Sequence, residues 1–509
     1  MPERLRGLDF DRTRCHLGDQ PLQFRRVQIS HEKKRTDDGL IENVMFRCRV
    51  EWDADLSVVL KLSGAEFGIK GLQMRGQLLI ELVRMISRPP MFEGVRMFFL
   101  DPPELDFKFA GTAGRLLNFG FIRHQIIDSV QSQLSQRLVA PRHMGFKMVP
   151  SADIFSITNP PPDGVLTITI GNAEGLLPMD VNWFGKGSSD PYVKIRCGAH
   201  IFRSPTQWKT LCPYFEFQVH IPISSFHNQR VWIELYDEDL FTEDDFLGKV
   251  SFPVDVMASW GENGRITVDL QSEEGEPGGR GTVCLGAVWR PLSVSEDGNG
   301  GTTSSMGVIT AGVYSASHLP ELSPGAKYWI SAHCTEVLPE AGAQSQTSEQ
   351  VALEKDGEDV YDRRAVDSAK AKLEFLKSHG ISDNDIAWIF DDNSDDPAVF
   401  ARTDTSAALK LLPPGNGRNQ INWRRGFQFL VRNFDSAALT FQLHGQTGSK
   451  SQILGSHECR LRDLSERGLT ARQAVQLPGT RIVLRFRLQL CYCQSDDVGR
   501  DGCRHRISL

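Results

Sequence analysis

No stretch of the 509 residues approaches the roughly 18 uninterrupted apolar residues of a membrane span, and Met1-Pro2-Glu3-Arg4 is not followed by an apolar leader. The chain as it stands is expected to be neither secreted nor membrane-spanning. Cysteine is sparse: ten residues, widely scattered, exclude a disulfide framework and suit a reducing compartment. Their tightest group, Cys491, Cys493, Cys503 and His505, matches no standard zinc spacing. Positive charge is also short, since 57 Lys and Arg against 64 Asp and Glu leave −7, so no global basic field can hold nucleic acid. An anionic partner must be met locally or through a bound cation. Signatures of catalysis are missing too: there is no Gly-x-Ser-x-Gly, no His-Glu-x-x-His and no P-loop, and Gly445 to Ser451 has the wrong spacing for one. An enzyme such as a phospholipase or kinase therefore lacks support.

What is present is enough apolar sequence, 40%, for several cores, and the length allows about three domains. Between Asn43 and Phe109 the dominant signal is period-two alternation. Val44, Phe46, Cys48 and Val50 form one row, Leu56, Val58, Leu60 and Leu62 a second, Leu72, Met74, Leu78, Ile80 and Leu82 a third, and Leu105, Phe107 and Phe109 a fourth. Arg47, Arg49, Lys61, Gln73, Arg75 and Gln77 occupy the other faces, as in an antiparallel sheet wet on one side. Ile126, Ile127, Val130, Leu134 and Leu138 then repeat at helical spacing until Pro141. These apolar rows fit either a filled core or a groove whose wall is completed by an acyl chain, and alternation alone favours the core.

The run Asn159 to Gly164, with three consecutive prolines, reads as a stiff linker. Beyond it, short strand candidates separated by Gly, Pro, Asn and Asp predict an all-β sandwich. A joint at Ser293 to Ser305 leads to a third unit that parallels the second: Gly307 to Leu319 matches Gly164 to Leu176, Tyr328-Trp329 matches Tyr192-Val193, and Ile453-Leu454-Gly455 matches Phe246-Leu247-Gly248. Roughly 85 residues, about 337 to 420, split this copy, far more than an ordinary loop, and Ala365 to Ser378 within them has helical periodicity. The expected boundaries are thus 1–150, a linker at 151–162, 163–291, a linker at 292–305, 306–495 and a polar tail at 496–509.

The sharpest chemical signal lies in the second unit. Asp180 and Asp190 fall in one loop, and Asp237, Asp239 and Asp245 in another, where six of nine residues from Asp237 to Asp245 are acidic. If the flanking strands are neighbours, five carboxylates face one cavity. Like charges raise one another's pKa, so the economical occupant is a hard divalent cation. Calcium takes about six to eight oxygens in irregular geometry, which suits two or three shared ions better than octahedral magnesium does. An EF-hand is excluded because Thr242 stands where that loop needs Gly. A solvated acidic loop is the plainer alternative. Trp183 and Phe184 stand on one loop tip and Leu240 and Phe241 on the other, placed either to enter a bilayer or to pack against each other. Ion binding would move the cavity from about −5 to about −1 or +1, leaving Lys186, Lys194, Arg196 and Arg203 to attract anionic lipid or to serve as solvated strand faces.

These residues carry a resemblance. Asp180, Ser189-Asp190-Pro191-Tyr192-Val193, Asp237-x-Asp239 and Asp244-Asp245-Phe246-Leu247-Gly248 resemble the calcium-dependent C2 domain of synaptotagmins and protein kinase C. The third unit resembles a C2 domain in its strands only: Ala326 is expected opposite Asp190, and Gly445, Thr447 and Gln452 replace Asp237, Asp239 and Asp245. Arg424, Arg425, Arg432, Arg460 and Arg462 there suit anionic lipid without calcium, solvated strand faces or protein docking.

In the first unit, Leu17-Gly18-Asp19-Gln20-Pro21-Leu22, Phe67-Gly68-Ile69-Lys70-Gly71-Leu72-Gln73, Phe98-Phe99-Leu100-Asp101-Pro102-Pro103 and the helix leading to Pro141-Arg142 resemble the SMP domain. The order SMP then C2 is similar to extended and plant synaptotagmins. That resemblance implies a mainly β chain with some α: an α+β lipid-holding tube followed by two β-sandwich C2-type domains, the second degenerate. It implies a lipid channel lined by Val44, Phe46, Leu56, Val58, Leu60, Leu72, Leu78, Ile80, Leu82, Phe107, Ile126, Val130 and Leu134, holding a glycerophospholipid. It further implies lipid transfer at contacts between endoplasmic reticulum and plasma membrane, calcium as cofactor, an anionic membrane as partner and an SMP-mediated homodimer. The family's anchoring hairpin is not visible upstream of Gly7, so a truncated chain or a soluble relative is expected. The rival is a calcium-responsive tether that moves no lipid.

Overall fold

The alternating rows of the first unit form an antiparallel sheet built on two long strands, Gly39–Leu62 and Ala65–Met85. The computed structural model describes residues 9–10, 15–16, 18–36, 39–62, 65–111, 120–181, 187–239, 244–261, 264–293, 306–320, 327–336, 346–347, 420–422, 426–447, 450–465 and 470–493. The expected helix at 365–378 lies outside them. The chain divides into two units, Met1–Thr158 and Asn159–Leu509.

In the first unit, the rows that read as separate strands on either side of Ala54 are one strand of 24 residues. A bulge between Ala54 and Ser57 absorbs the break between the rows and adds local twist. Opposite Gly71, whose φ of 83° only glycine adopts readily, the partner Glu104–Gly111 shifts register between Ile69 and Leu72. Gln23–Thr36 pairs with Gly39–Leu62, Phe92–Phe99 with Ala65–Met85, and Met144–Lys147 with Phe92–Phe99. The helix spans Gly120–Leu138, close to its periodicity.

The sheet is not simply wet on its second face. There Met45, Leu79, Phe98, Leu100 and Ala140 form a buried cluster, beside an ion pair in which Arg96 Nε and Nη2 donate to Glu81 at 2.5 and 2.8 Å. Asn43 Nδ2 donates to the same carboxylate at 2.6 Å, and the Arg84 N–H donates to Asn43 Oδ1 at 2.8 Å. Buried charge persists here because both oxygens of Glu81 accept from a partnered donor. A short helix, Ile154–Thr158, covers the same side over Gly94 and Gly145, where an added Cβ would collide with Ile157 and Thr158.

The second unit holds two sandwiches. In the first, Pro191–Cys197, Arg230–Asp237 and Asp245–Pro253 form one sheet with His200–Arg203 at its edge. Tyr214–Ile223, Gly164–Glu174, Pro277–Ser293 and Arg265–Gln271 form the other. Leu166, Ile168, Val193, Ile195, Ile233 and Leu235 lie fully buried between them. In the second, Lys327–Glu336, Ala437–Thr447 and Lys450–Arg460 face Gly307–Ser317, Gly426–Val431, Thr470–Gln476 and Val483–Cys493 across a core containing Ile309, Ile330, Leu443, Phe441 and Phe486. Leu292 and Ser293 pair with Cys493 and Tyr492, so a short ladder joins the two sandwiches. Among the described residues no helix is long and apolar enough to cross a membrane.

Candidate functional site

The first site is the end of the first sandwich. Pro191 pairs with Asp237, and Asp237 pairs with Asp245 on its other side, so Asp237 and Asp245 share the last row across three strands and Asp190 stands one position beyond Pro191 at the same end. Asp239 follows in the connecting loop, and Asp180 pairs with Ser188 in a two-stranded ladder on the other loop. Carboxylates directly opposite each other in a ladder repel. Asp237 is nonetheless only 2% exposed, and its Oδ1 accepts the Asp190 N–H at 2.5 Å. Asp190 Oδ1 accepts the Lys209 N–H at 2.5 Å, and the Glu238 N–H donates to the Asp190 carbonyl at 3.0 Å. Among the described residues no three His, Cys, Asp or Glu side chains converge closely enough to hold one metal ion. The side chain of Asp180 lies outside the described residues, as do Trp183, Phe184, Lys186, Leu240 and Phe241. The donor set itself, hard carboxylate oxygens from two loops, fits calcium chemistry.

Asp244, which the spacing did not single out, organises the second loop. Its Oδ1 accepts the Asp239 N–H at 3.1 Å and its Oδ2 accepts the Tyr192 hydroxyl at 2.8 Å. Burial first, then this carboxylate, push the Tyr192 hydroxyl pKa upward, so it stays a donor. Tyr192 and Tyr236 stack at 5.7 Å just inside the acidic row. The expected lipid-facing cations lie on this sheet's outer face. Lys194 sits 5.8 Å over Tyr236; Arg196 lies 3.7 Å from Glu234 and over Trp232; Arg203 lies 3.0 Å from Glu238 and 3.8 Å over Tyr192. Neighbouring acids thus balance much of that charge.

The third unit repeats the frame without the acids. Leu235 pairs with Gly248 and Leu443 with Gly455, each followed by a bulge, which aligns Gly445 with Asp237 and Gln452 with Asp245. Since Tyr328 pairs with Gly445 as Pro191 pairs with Asp237, the position matching Asp190 is Lys327, not Ala326. The expected match was one residue out of phase: Trp329, stacked on His444 at 5.0 Å, is the counterpart of Tyr192. Cys491 and Cys493 are buried within this sandwich, where burial pushes the Cys493 thiol up to about 11, while Cys503 and His505 lie outside the described residues. A thiol so protonated is a poor metal ligand.

The second site is the face of the first sheet opposite the Ile154–Thr158 helix. Register sets Ile29, Phe46, Ile80, Met97 and Met144 in one row across five strands, and His31, Val44, Leu82, Val95 and Phe146 in the next. Residues directly opposite share a face. Val44, Phe46, Ile80, Leu82, Val95 and Met97 are each only half-buried, Leu78 beside them is buried, and at the two edges Ile29 and Phe146 are 67% and 50% exposed. Half-buried apolar rows that run to two exposed edges make an apolar surface broader than the scattered exposed residues of an ordinary solvated face. Of the other expected channel residues, Leu56 and Phe107 are buried, Val58, Leu72 and Leu134 half-buried and Val130 exposed, with Leu72 opposite Phe107. The side chains of Leu60 and Ile126 lie outside the described residues. Ile29, Val95, Met97, Met144 and Phe146 escaped the sequence reading because polar neighbours or short strands hid their alternation; pairing register is the signal that finds them.

Comparison with known proteins follows the same division. Residues 164–268 match the C2 domain family. Extended synaptotagmin-1 of Rattus norvegicus is 28% identical over 287 residues, 56% of this chain and 25% of the relative; extended synaptotagmin-3 of Homo sapiens is 32% identical over 240 residues, 46% and 26%. The chain therefore spans about a quarter of the length of these relatives. The solved SMP domain and two following C2 domains of extended synaptotagmin 2 superpose with a TM-score of 0.56 over 96% of this chain and 90% of that one, at 18% identity. The chain thus carries a C2 domain, resembles the extended synaptotagmins over half its length, and has the fold of their SMP domain followed by two C2 domains.

Proposed function

We propose that this chain is a non-enzymatic phospholipid carrier of membrane contact sites, holding a glycerophospholipid against the first sheet and docking its first sandwich on anionic membrane when calcium is bound. The observation that carries the reading is the pair of apolar rows crossing five strands on the face opposite the Ile154–Thr158 helix, half-buried at their centre and exposed at their edges. Each buried CH2 of an acyl chain contributes about 0.8 kcal/mol, so chains laid along this wall would be held firmly. The likeness to extended synaptotagmins supports the setting, contacts between endoplasmic reticulum and another membrane.

Calcium docking rests on the acidic row. Asp190, Asp237, Asp239 and Asp245, with Asp180, would hold two or three ions, whose charge supplies the attraction for lipid phosphates that the carboxylates oppose. Lys194 and Lys186 would add to it, with Trp183, Phe184, Leu240 and Phe241 entering the bilayer. Pairing of two first units as a homodimer belongs to the same reading.

Three measurements test it. Native mass spectrometry of the purified chain should show co-purified phospholipid, and lipid should move between labelled vesicles. The substitution Ile80→Trp, which fills the wall, should reduce both while leaving vesicle binding intact. A lipid-free chain with no transfer would overturn the carrier and leave a calcium-responsive tether. For calcium, Asp237→Asn with Asp239→Asn should abolish calcium-dependent co-sedimentation with anionic vesicles; retained binding would sink the switch.

A further inference from the structure

The joint between the two sandwiches carries polar chemistry that neither the acidic row nor the apolar wall uses. On the second sheet of the first sandwich, Val165 packs against Val308 and Cys493 of the second, with Leu292, Met306 and Leu430 around them. Register sets Arg290 and Pro222 beside Val165, and His220, Thr167 and Val288 form the next row on the same face. The Thr167 hydroxyl, 4% exposed, joins two of these: Arg290 Nη1 donates to its oxygen at 3.4 Å, and His220 Nδ1 lies 2.9 Å from it. A guanidinium can only donate. With Thr167 giving its hydrogen to Nδ1, all three groups are satisfied and the neutral ring carries its proton at Nε2.

The second sandwich reaches the same place. Leu430 belongs to the apolar contact, and Arg432, two residues on, is exposed and close enough for its charge to act on His220 together with that of Arg290. Both charges are positive, and both oppose a proton on the imidazole. Two guanidiniums and an imidazole from three chain segments thus meet at one joint, and their field favours an anion among them. Three donors call for an acceptor with at least three oxygens. A carboxylate has two, whereas a phosphate group has three or more, and guanidinium binds its oxygens in pairs. The exposure of Arg432 gives such an ion a way in. We propose that the joint between the two sandwiches binds a phosphate group, held by the guanidiniums of Arg290 and Arg432 and by the Nε2–H of His220, so that one anion links a residue of each sandwich. The site lies on the other sheet from the one that ends in Asp237 and Asp245, and rests neither on calcium nor on membrane docking.

A bound phosphate stabilises the imidazolium, so occupancy reads out as a rise in the pKa of His220. The test follows the imidazole signals of the full chain by proton NMR, with that of His220 identified by its loss in His220→Gln. Without phosphate this signal should stay that of a neutral ring down to about pH 5. With saturating inorganic phosphate its midpoint should rise above about 5. Arg432→Gln, which alters an exposed side chain, should weaken phosphate binding about tenfold, and Arg290→Gln at least as much. Arg265→Gln, an exposed arginine of the same sheet, should leave it unchanged. Co-sedimentation with phosphatidylinositol phosphate vesicles, without calcium, separates the sources of the phosphate. Weaker binding in Arg432→Gln makes a lipid headgroup the occupant, and equal binding in parent and variant leaves a soluble phosphate. A His220 signal untouched by phosphate, or equal phosphate affinity in the parent, Arg290→Gln and Arg432→Gln, overturns the proposal.

Discussion

The two sandwiches of the second unit share a frame and differ at its end. Both place a fully buried leucine, Leu235 or Leu443, opposite a glycine, follow it with a bulge, and close with a stacked aromatic pair, Tyr192–Tyr236 or Trp329–His444. One position further out they part. The first presents Asp190, Asp237 and Asp245, the second Lys327, Gly445 and Gln452. The core and the aromatic stack therefore build the sandwich without help from the acidic row, and the row is free to vary as chemistry requires. The Lys327 position sharpens this, because the second end is not merely uncharged: a cation's backbone stands where the first has an anion's.

The largest test of that shared frame is its core. Leu235→Ala and Leu443→Ala should each cost about 2 to 5 kcal/mol, because each removes a fully buried side chain from a packed interior. Amide exchange of each sandwich, which reads its own opening, should give values within about 1 kcal/mol of each other. A wide gap would mean that the frames only look alike. Next comes the single exchange that copies one end onto the other. Asp190→Lys replaces an anion by a cation in the row and deletes the acceptor of the Lys209 N–H. Calcium-dependent vesicle binding should fall at least about a hundredfold, equivalent to roughly 2.7 kcal/mol. Co-sedimentation across a calcium series checks it, and a shift of less than about fivefold would show that the row is not the ligand set.

The same contrast shows what could be read from the chain alone. The acidic positions were legible because each stands in a tight frame, Ser189-Asp190-Pro191-Tyr192 or Asp244-Asp245-Phe246-Leu247-Gly248, beside strands with clear alternation. The copy was legible too, down to Gly445 and Gln452, but its first acidic position was misplaced by one residue. Two aromatic neighbours, Tyr328 and Trp329, can each stand for Tyr192 until pairing fixes which one stacks. In the first unit, Val44, Phe46, Leu78, Ile80 and Leu82 were visible as rows, whereas Ile29 sits in Gln23–Thr36, an edge strand mostly of polar side chains. Alternation reports burial, and an exposed edge has little to report. The Asn43, Glu81 and Arg96 network was hidden for the opposite reason: charged residues in a strand read as solvent-facing until their partners across the ladder are known.

Histidine offers a smaller test of how the two sandwiches differ. His220, in the first, accepts or donates a bond with Thr167 Oγ1 at 2.9 Å, and burial, then Arg432 and Arg290, lower its pKa to about 4. The folded protein keeps it neutral down to that pH, while the unfolded chain takes up a proton near 6.5. The unfolded state binds more protons in between, so stability is complete above about pH 6.5 and is lost as pH falls toward 4, by up to about 3 kcal/mol. His457, in the second sandwich, is lowered by burial with Glu458 opposing, and should contribute less. Denaturation at stepped pH should show the loss, and Arg432→Gln should shrink it by letting His220 protonate earlier. A pH profile untouched by His220→Gln would remove this difference between the sandwiches.

The smallest effect expected is the most discriminating for the acidic row. Gly445→Asp with Gln452→Asp restores two of the missing acids at register positions equivalent to Asp237 and Asp245. Two carboxylates facing each other across a ladder repel by roughly 0.2 to 1 kcal/mol, and at the register position where Asp190 would stand the sequence carries Lys327, a residue of opposite charge. Calcium calorimetry should therefore show no new binding event, and stability should change by less than about 1 kcal/mol. Only the further change Lys327→Asp, which removes that opposite charge and completes the row, should create a calcium response. If the double substitution alone bound calcium, the cation at 327 would not be what separates the two ends, and the difference between the sandwiches would reduce to a count of acids.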